Sequence, residues 1–199
     1  MAENAAGDKK IMFSKNLIIT GTPGVGKTTV IKDAVFPFKS SVRGFVTEEL
    51  RSLGKREGFV IKSMDGRQGL FASKKMASAS RLNKYGIDLE VLELIGVSSL
   101  KAGLEEKKII VIDEIGSMEM FSDVFRKTVV ECMASSCPVL ATMRKGSKPF
   151  TESISRMSHT RVLALSRQNY PDAASEVKEW VKYWADKVEM KALQAGDEG

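Results

Sequence analysis

Gly21-Thr22-Pro23-Gly24-Val25-Gly26-Lys27-Thr28-Thr29 fits the spacing G-x-x-x-x-G-K-[ST], with Gly21, Gly26, Lys27 and Thr28 in the required places. The flanks fit as well. Asn16-Leu17-Ile18-Ile19-Thr20 is a short apolar run suited to a buried strand, and Thr28 to Ala34 can open a helix. A strand, a glycine loop and a helix N-terminus in that order form an anion site from backbone alone. Successive N–H groups turn inward and the helix dipole adds positive potential. The glycines permit approaches that a Cβ would block. The run Gly21, Thr22, Pro23, Gly24, Val25, Gly26, Lys27, Thr28 and Thr29 is therefore expected to wrap a polyphosphate. Lys27 would reach the β/γ-phosphates and Thr28 would ligate Mg²⁺.

A second element supports this reading. Ile109-Ile110-Val111-Ile112 is an unbroken apolar strand that ends in Asp113 and Glu114. It does not alternate, as expected of a central strand covered on both faces. An acid at this place holds Mg²⁺ in enzymes with such a loop. Asp113 is the candidate, with Thr28, phosphate oxygens and water completing an octahedral oxygen shell. Glu114 then faces the γ-phosphate, placed to orient or deprotonate water. The bland alternative is two solvated charges at a strand end.

Outward from these elements the chain alternates strands and helices, which implies an α/β fold with a mainly parallel sheet. Val42 to Glu48 reads as a strand. Gly58–Lys62 and Gly69–Ala72 flank Asp65-Gly66, a tight-turn signal, so an inserted antiparallel hairpin is expected. Ile87 to Glu106 has helical spacing with a break at Gly96. Phe121 to Ala134 and Ala173 to Met190 read as helices, and Pro138 to Thr142 and Val162 to Leu165 as strands. Residues 1–14 are expected to be a disordered lead-in, 15–190 a single domain and 191–199 a frayed tail.

With 199 residues, 43% of them hydrophobic, the chain can bury a full core without metal or disulfide staples. Its two cysteines, Cys132 and Cys137, make no disulfide framework and are expected to be reduced, which suggests the cytoplasm. No apolar run approaches a membrane span. The net charge of +6 comes from scattered lysines and arginines rather than the clustered patch of a nucleic-acid footprint.

Several stretches resemble one family. Gly21–Thr29, Arg43-Gly44-Phe45-Val46-Thr47-Glu48-Glu49, Gly58-Phe59, and Val111-Ile112-Asp113-Glu114-Ile115-Gly116-Ser117-Met118-Glu119 followed by Phe121-Ser122 are similar to the small P-loop nucleoside-triphosphatases. That family comprises the human cancer-related nucleoside-triphosphatase and its archaeal and bacterial relatives. The resemblance implies a RecA-like three-layer sandwich and Mg²⁺-dependent hydrolysis of ATP, GTP and other NTPs to NDP and phosphate. It also implies weak discrimination among bases and slow turnover. It places Gly116, with Asp113 and Glu114, at the nucleotide. The chain departs from the family at Ser117, where a lysine is usual, at Arg81-Leu82-Asn83-Lys84-Tyr85, and at Leu165 to Tyr170. These departures bear on rate and base preference, not on the phosphate site.

A metaphosphate-like transition state needs positive charge. Arg144, after the strand ending at Thr142, is the first candidate and Arg81 the second. Arg43, Arg51, Arg56, Lys84 and Arg156 remain as surface alternatives. Two other functions stay open. A nucleotide or nucleoside kinase would use the same ATP site with an acceptor in place of water, and the Gly58–Ala72 hairpin could hold that acceptor. A GTP-dependent switch would use Asp113-Glu114-Ile115-Gly116 as D-x-x-G, but Asn83-Lys84-Tyr85-Gly86 lacks the aspartate that reads guanine.

Overall fold

The computed structural model describes residues 13–144 and 149–197. Its centre is β1 (Asn16–Gly21), with parallel partners on both edges: β8 (Val139–Arg144) and β9 (Thr160–Ala164). Beyond β8 lie β7 (Ile109–Ile115) and β2 (Val42–Ser52), also parallel. The parallel order is thus β2-β7-β8-β1-β9.

The unbroken apolar runs follow from burial on both faces. Leu17 and Ile19 point into one core and Ile18 into the other. Ile109 and Val111 divide from Ile110 and Ile112 in the same way. One core holds α1 (Lys27–Val35) and α6 (Tyr170–Asp197), with Val30, Ile31, Trp180 and Val181 buried. The other holds α4 (Asp123–Ala134) and the helical stretch that begins at Leu89, with Phe125, Val129, Leu92 and Leu100. Three layers result, as a RecA-like sandwich requires.

The inserted hairpin is larger than the sequence indicates. β3 (Lys55–Ser63) and β4 (Gln68–Ser73) pair across Asp65-Gly66, with Gly66 at φ +96°. They are only the middle of an antiparallel wing. β2 runs on past Glu48 and reverses through Leu53 and Gly54, at φ +48° and +76°, into β3. On the far side β4 pairs with β6 (Tyr85–Ile87), and β6 with β5 (Arg81–Leu82). The wing extends the parallel sheet into one of nine strands, ordered β5-β6-β4-β3-β2-β7-β8-β1-β9 among the described residues.

The break expected at Gly96 is a change of helix type. Leu89–Val91 (α2) passes through a π turn, Leu92–Val97, into Ser98–Glu105 (α3). A Cβ on Gly96 would lie 2.9 Å from Ile61 Cδ1, so the glycine lets the helix close on the wing. A short helix, Pro149–Ser155 (α5), precedes β9. The Phe13 ring stacks on Tyr183 at 4.2 Å, and Trp180 Nε1–H donates to the Ser14 carbonyl at 2.8 Å. Of the expected lead-in, 1–12 lie outside the described residues. α6 continues past Met190 to Asp197 where fraying was expected, and 198–199 lie outside the described residues. Among the described residues no helix is long and apolar enough to cross a membrane.

Candidate functional site

The parallel strands β1, β7 and β8 end along one edge of the sheet, and the loops that follow them meet there. This is where open α/β sheets hold ligands. β1 ends at Gly21, in register with Arg144 at the end of β8. The loop then turns through Gly24 and Gly26, at φ +77° and +104°. Gly26 is doubly constrained, because a Cβ there would also meet Tyr170 Cε2 at 2.8 Å. α1 starts at Lys27, and the Val30 N–H donates to the Gly26 carbonyl at 3.0 Å.

Lys27 is buried. Its ammonium donates to the Gly21 carbonyl at 3.4 Å and lies 3.5 Å from Glu114 Oε2. The loop strand and the acid strand are thereby joined through one cation. Asp113 is 2% exposed, and its Oδ1 accepts from the Thr142 hydroxyl. Its Oδ2 is buried with no hydrogen-bond partner among the described residues. Burial raises the Asp113 pKa, against the lowering effects of the Thr142 and Thr28 hydroxyls. Glu114 is about a third exposed and faces the cleft.

A third acid was not assigned a role from sequence. Glu119 lies in the short 3₁₀ turn Glu119–Phe121 and is 5% exposed, yet it lines the same cleft. Desolvation pushes its pKa up to about 8, and the charges of Glu114 and Asp113 add to that. Its only sequence signal was its place in the Asp113–Glu119 stretch. No helical or strand period marks a turn residue as buried. Gly116 makes the arrangement possible. A Cβ there would fall 2.6 Å from Glu119 Oε2 and 3.0 Å from Glu114 Cγ.

The cleft measures about 570 Å³. Pro23, Gly24, Gly26, Lys27, Thr28 and Thr29 line one end. Asp113, Glu114, Glu119 and Arg144 also face it. Its other end is walled by wing residues: Thr47, Arg56, Phe59, Phe71, Leu82 and Tyr85. Gly21, Thr22, Val25 and Gly116 are not among the lining residues. They shape the backbone behind the surface: the Val25 N–H donates to the Thr22 carbonyl, and a Cβ on Gly21 would meet the Leu165 carbonyl at 2.8 Å.

The arginine candidates separate clearly. Arg144 is exposed and lines the cleft beside the loop. Arg81, the second choice, is not a lining residue. It sits on the outermost strand and donates to the Met76 carbonyl at 3.2 Å. Arg43 is paired with Glu106 at 2.6 Å, near the start of β2 and away from the strand ends that form the site. Arg56 does reach the cleft, where it pairs with Glu49. His159 is exposed. Cys132 and Cys137 are buried and free.

Comparison with known proteins gives a concordant picture. A family model described as NTPase matches residues 16–178. The chain is 41% identical over 167 residues to the nucleoside-triphosphatase THEP1 of Thermotoga sp. (strain RQ2), covering 84% of this chain and 95% of that one. Its fold resembles the crystal structure of THEP1 from Aquifex aeolicus, with a TM-score of 0.75 and 33% identity over 81% of this chain and 96% of that chain. It also resembles the solution structure of a human cancer-related nucleoside triphosphatase, with a TM-score of 0.71 and 29% identity over 84% of this chain and 97% of that chain.

Proposed function

The chain belongs to the NTPase family and is a nucleoside-triphosphatase, and from that premise we propose how its residues divide the work. The loop N–H groups and the start of α1 bind the phosphates, and the Lys27 ammonium sits on the β/γ oxygens. Thr28 and Asp113 would hold Mg²⁺. The donor set fits this ion: a hydroxyl, and a buried carboxylate whose Oδ2 has no partner among the described residues. A hard cation that keeps waters and shares substrate oxygens needs few protein ligands. When bound, the ion would neutralise charge on the β- and γ-oxygens.

Glu114 is the base. It stands next to Asp113 yet is accessible to the cleft, so it can take a proton from a water aimed at the γ-phosphorus. The β–γ bridging oxygen then leaves with NDP. Arg144 supplies positive charge from the end of β8. Its exposure leaves it weakly preorganised, which accords with slow turnover. Because backbone grips what all NTPs share, ATP, GTP and other triphosphates should all serve. A cytoplasmic setting completes the proposal, supported by two buried, free thiols.

The observation that carries this reading is the 3.5 Å approach of Lys27 Nζ to Glu114 Oε2 beside the orphaned oxygen of Asp113. Phosphate release from each NTP, with and without Mg²⁺, tests it. Glu114→Gln should retain nucleotide and stop hydrolysis, whereas Lys27→Ala should weaken both. If Glu114→Gln hydrolyses at the parent rate, the base assignment fails.

A further inference from the structure

The wing end of the cleft is unused by hydrolysis. Strand order places it on the γ-phosphate side. From β1 the sheet runs through β8 and β7 to β2, then into β3, β4 and β6. Val46 pairs with Asp113, so Thr47 stands one residue further along β2 towards the ligand edge. β3 is two strands from β7, or roughly 10 Å at ordinary strand spacing. A γ-phosphate between Lys27 and Glu114 therefore does not reach the Phe59 ring at the cleft's far wall.

That wall has the chemistry of a ring-binding site. Phe59 and Tyr85 meet edge to face, 5.4 Å between centroids, and Phe71 lies fully buried among the lining residues. The Arg56 guanidinium lies 5.5 Å from the Phe59 ring centroid. Thr47 Oγ1 is buried, lies on a lining residue, and has no hydrogen-bond partner among the described residues. Apolar walls with a few convergent polar groups are the usual makeup of a small-molecule pocket, and a buried hydroxyl left unsatisfied is costly without a ligand to bind it.

We propose that this half of the cleft is a second-substrate site, taking a nucleoside whose base lies against Phe59, Phe71 and Tyr85 and whose hydroxyl faces the γ-phosphorus beside Glu114. The proposal rests on the reading of Glu114 as base and extends it from water to an alcohol. In the transfer step the acceptor oxygen bonds to the γ-phosphorus as its proton passes to the Glu114 carboxylate. The bond from that phosphorus to the β–γ bridging oxygen breaks. The products are a nucleoside phosphomonoester and NDP, and Glu114 returns its proton to solvent. Thr47 Oγ1 and the Arg56 guanidinium hydrogen-bond the base or sugar.

The test incubates the full-length protein with Mg²⁺ and γ-labelled ATP, alone and with adenosine, guanosine, cytidine, uridine or thymidine. Labelled phosphate and labelled nucleoside monophosphate are separated and counted. A bound alcohol should compete with water, so that at least one nucleoside yields monophosphate ~10-fold or more faster than phosphate release, with ADP equal to the sum of the two labelled products. Thr47→Val keeps shape and removes an unpaired hydroxyl, and Phe59→Leu keeps apolar volume and removes the ring. Each should lower the ratio of transfer to hydrolysis by ~10-fold, a change that loss of fold would not produce. Phosphate release with no labelled monophosphate overturns the second site and leaves the hydrolase intact. Transfer at an unchanged ratio in both variants also overturns it. If neither product forms, the reading of Glu114 falls as well.

Discussion

The two ends of the cleft are built on opposite plans. At the loop end, the residues proposed to bind phosphate lie within nine positions of one another, in a backbone shaped by Gly24 and Gly26 and by the start of α1. At the wing end, residues far apart in the chain, from β2, β3, β4 and β6, gather across the sheet. A backbone site recognises what every triphosphate shares. A side-chain site recognises shape. The proposed division separates catalysis from selectivity along one sheet edge, with Asp113, Glu114 and Glu119 at the boundary.

The contrast breaks first at that boundary. Glu114→Gln should lower the phosphate-release rate by about 10²–10⁴, the usual worth of a general base. Nucleotide affinity, measured by titration with a non-hydrolysable analogue, should hold. If affinity falls with rate, Glu114 belongs to the binding end and the division is wrong.

A smaller effect tests the backbone plan. Gly26→Ala places a Cβ at φ +104° and against Tyr170. It should cost about 1–3 kcal/mol in denaturant unfolding, the range for a residue forced into such a conformation. The same substitution should weaken binding of all NTPs alike. A change confined to one base would show that the loop reads more than phosphate.

Glu119 gives a pH signature. Its folded-state pKa, about 8, lies above the ordinary carboxylate value of 4.5. Between those two pH values the folded chain binds more protons than the unfolded one, so stability falls as pH rises through the window. Glu119→Gln mimics the neutral acid. Its Tm should match the parent's near pH 4.5 and exceed it increasingly towards pH 8. Parallel Tm curves for the two proteins would mean that Glu119 is solvated.

The same contrast explains what the sequence could disclose. Gly21–Thr29 and Ile109–Glu114 were legible because each is contiguous and its pattern is local. The Asp65-Gly66 hairpin was legible for the same reason. The rest of the wing was not. Its first reversal uses Leu53 with Gly54, and leucine is a poor residue for positive φ, so the turn carries no signal. β5 and β6 are two and three residues long, too short to show alternation. The place of Arg81, the second candidate after Arg144, was hidden for the same reason. Chain position could not say that β5 pairs outermost, on β6, whereas β8 pairs with β1.

Arg81→Ala is therefore the smallest expected effect and the sharpest check on strand order. Arg81 is exposed, and its one described side-chain hydrogen bond is to a neighbouring carbonyl in the wing. Its removal should leave phosphate release within about twofold of the parent and stability within about 0.5 kcal/mol, as for most surface changes. Arg144→Ala, beside Gly21, should slow release several-fold more. A slow Arg81→Ala and a normal Arg144→Ala would mean that the wing folds over the phosphates during turnover, and the two ends of the cleft would then be one site.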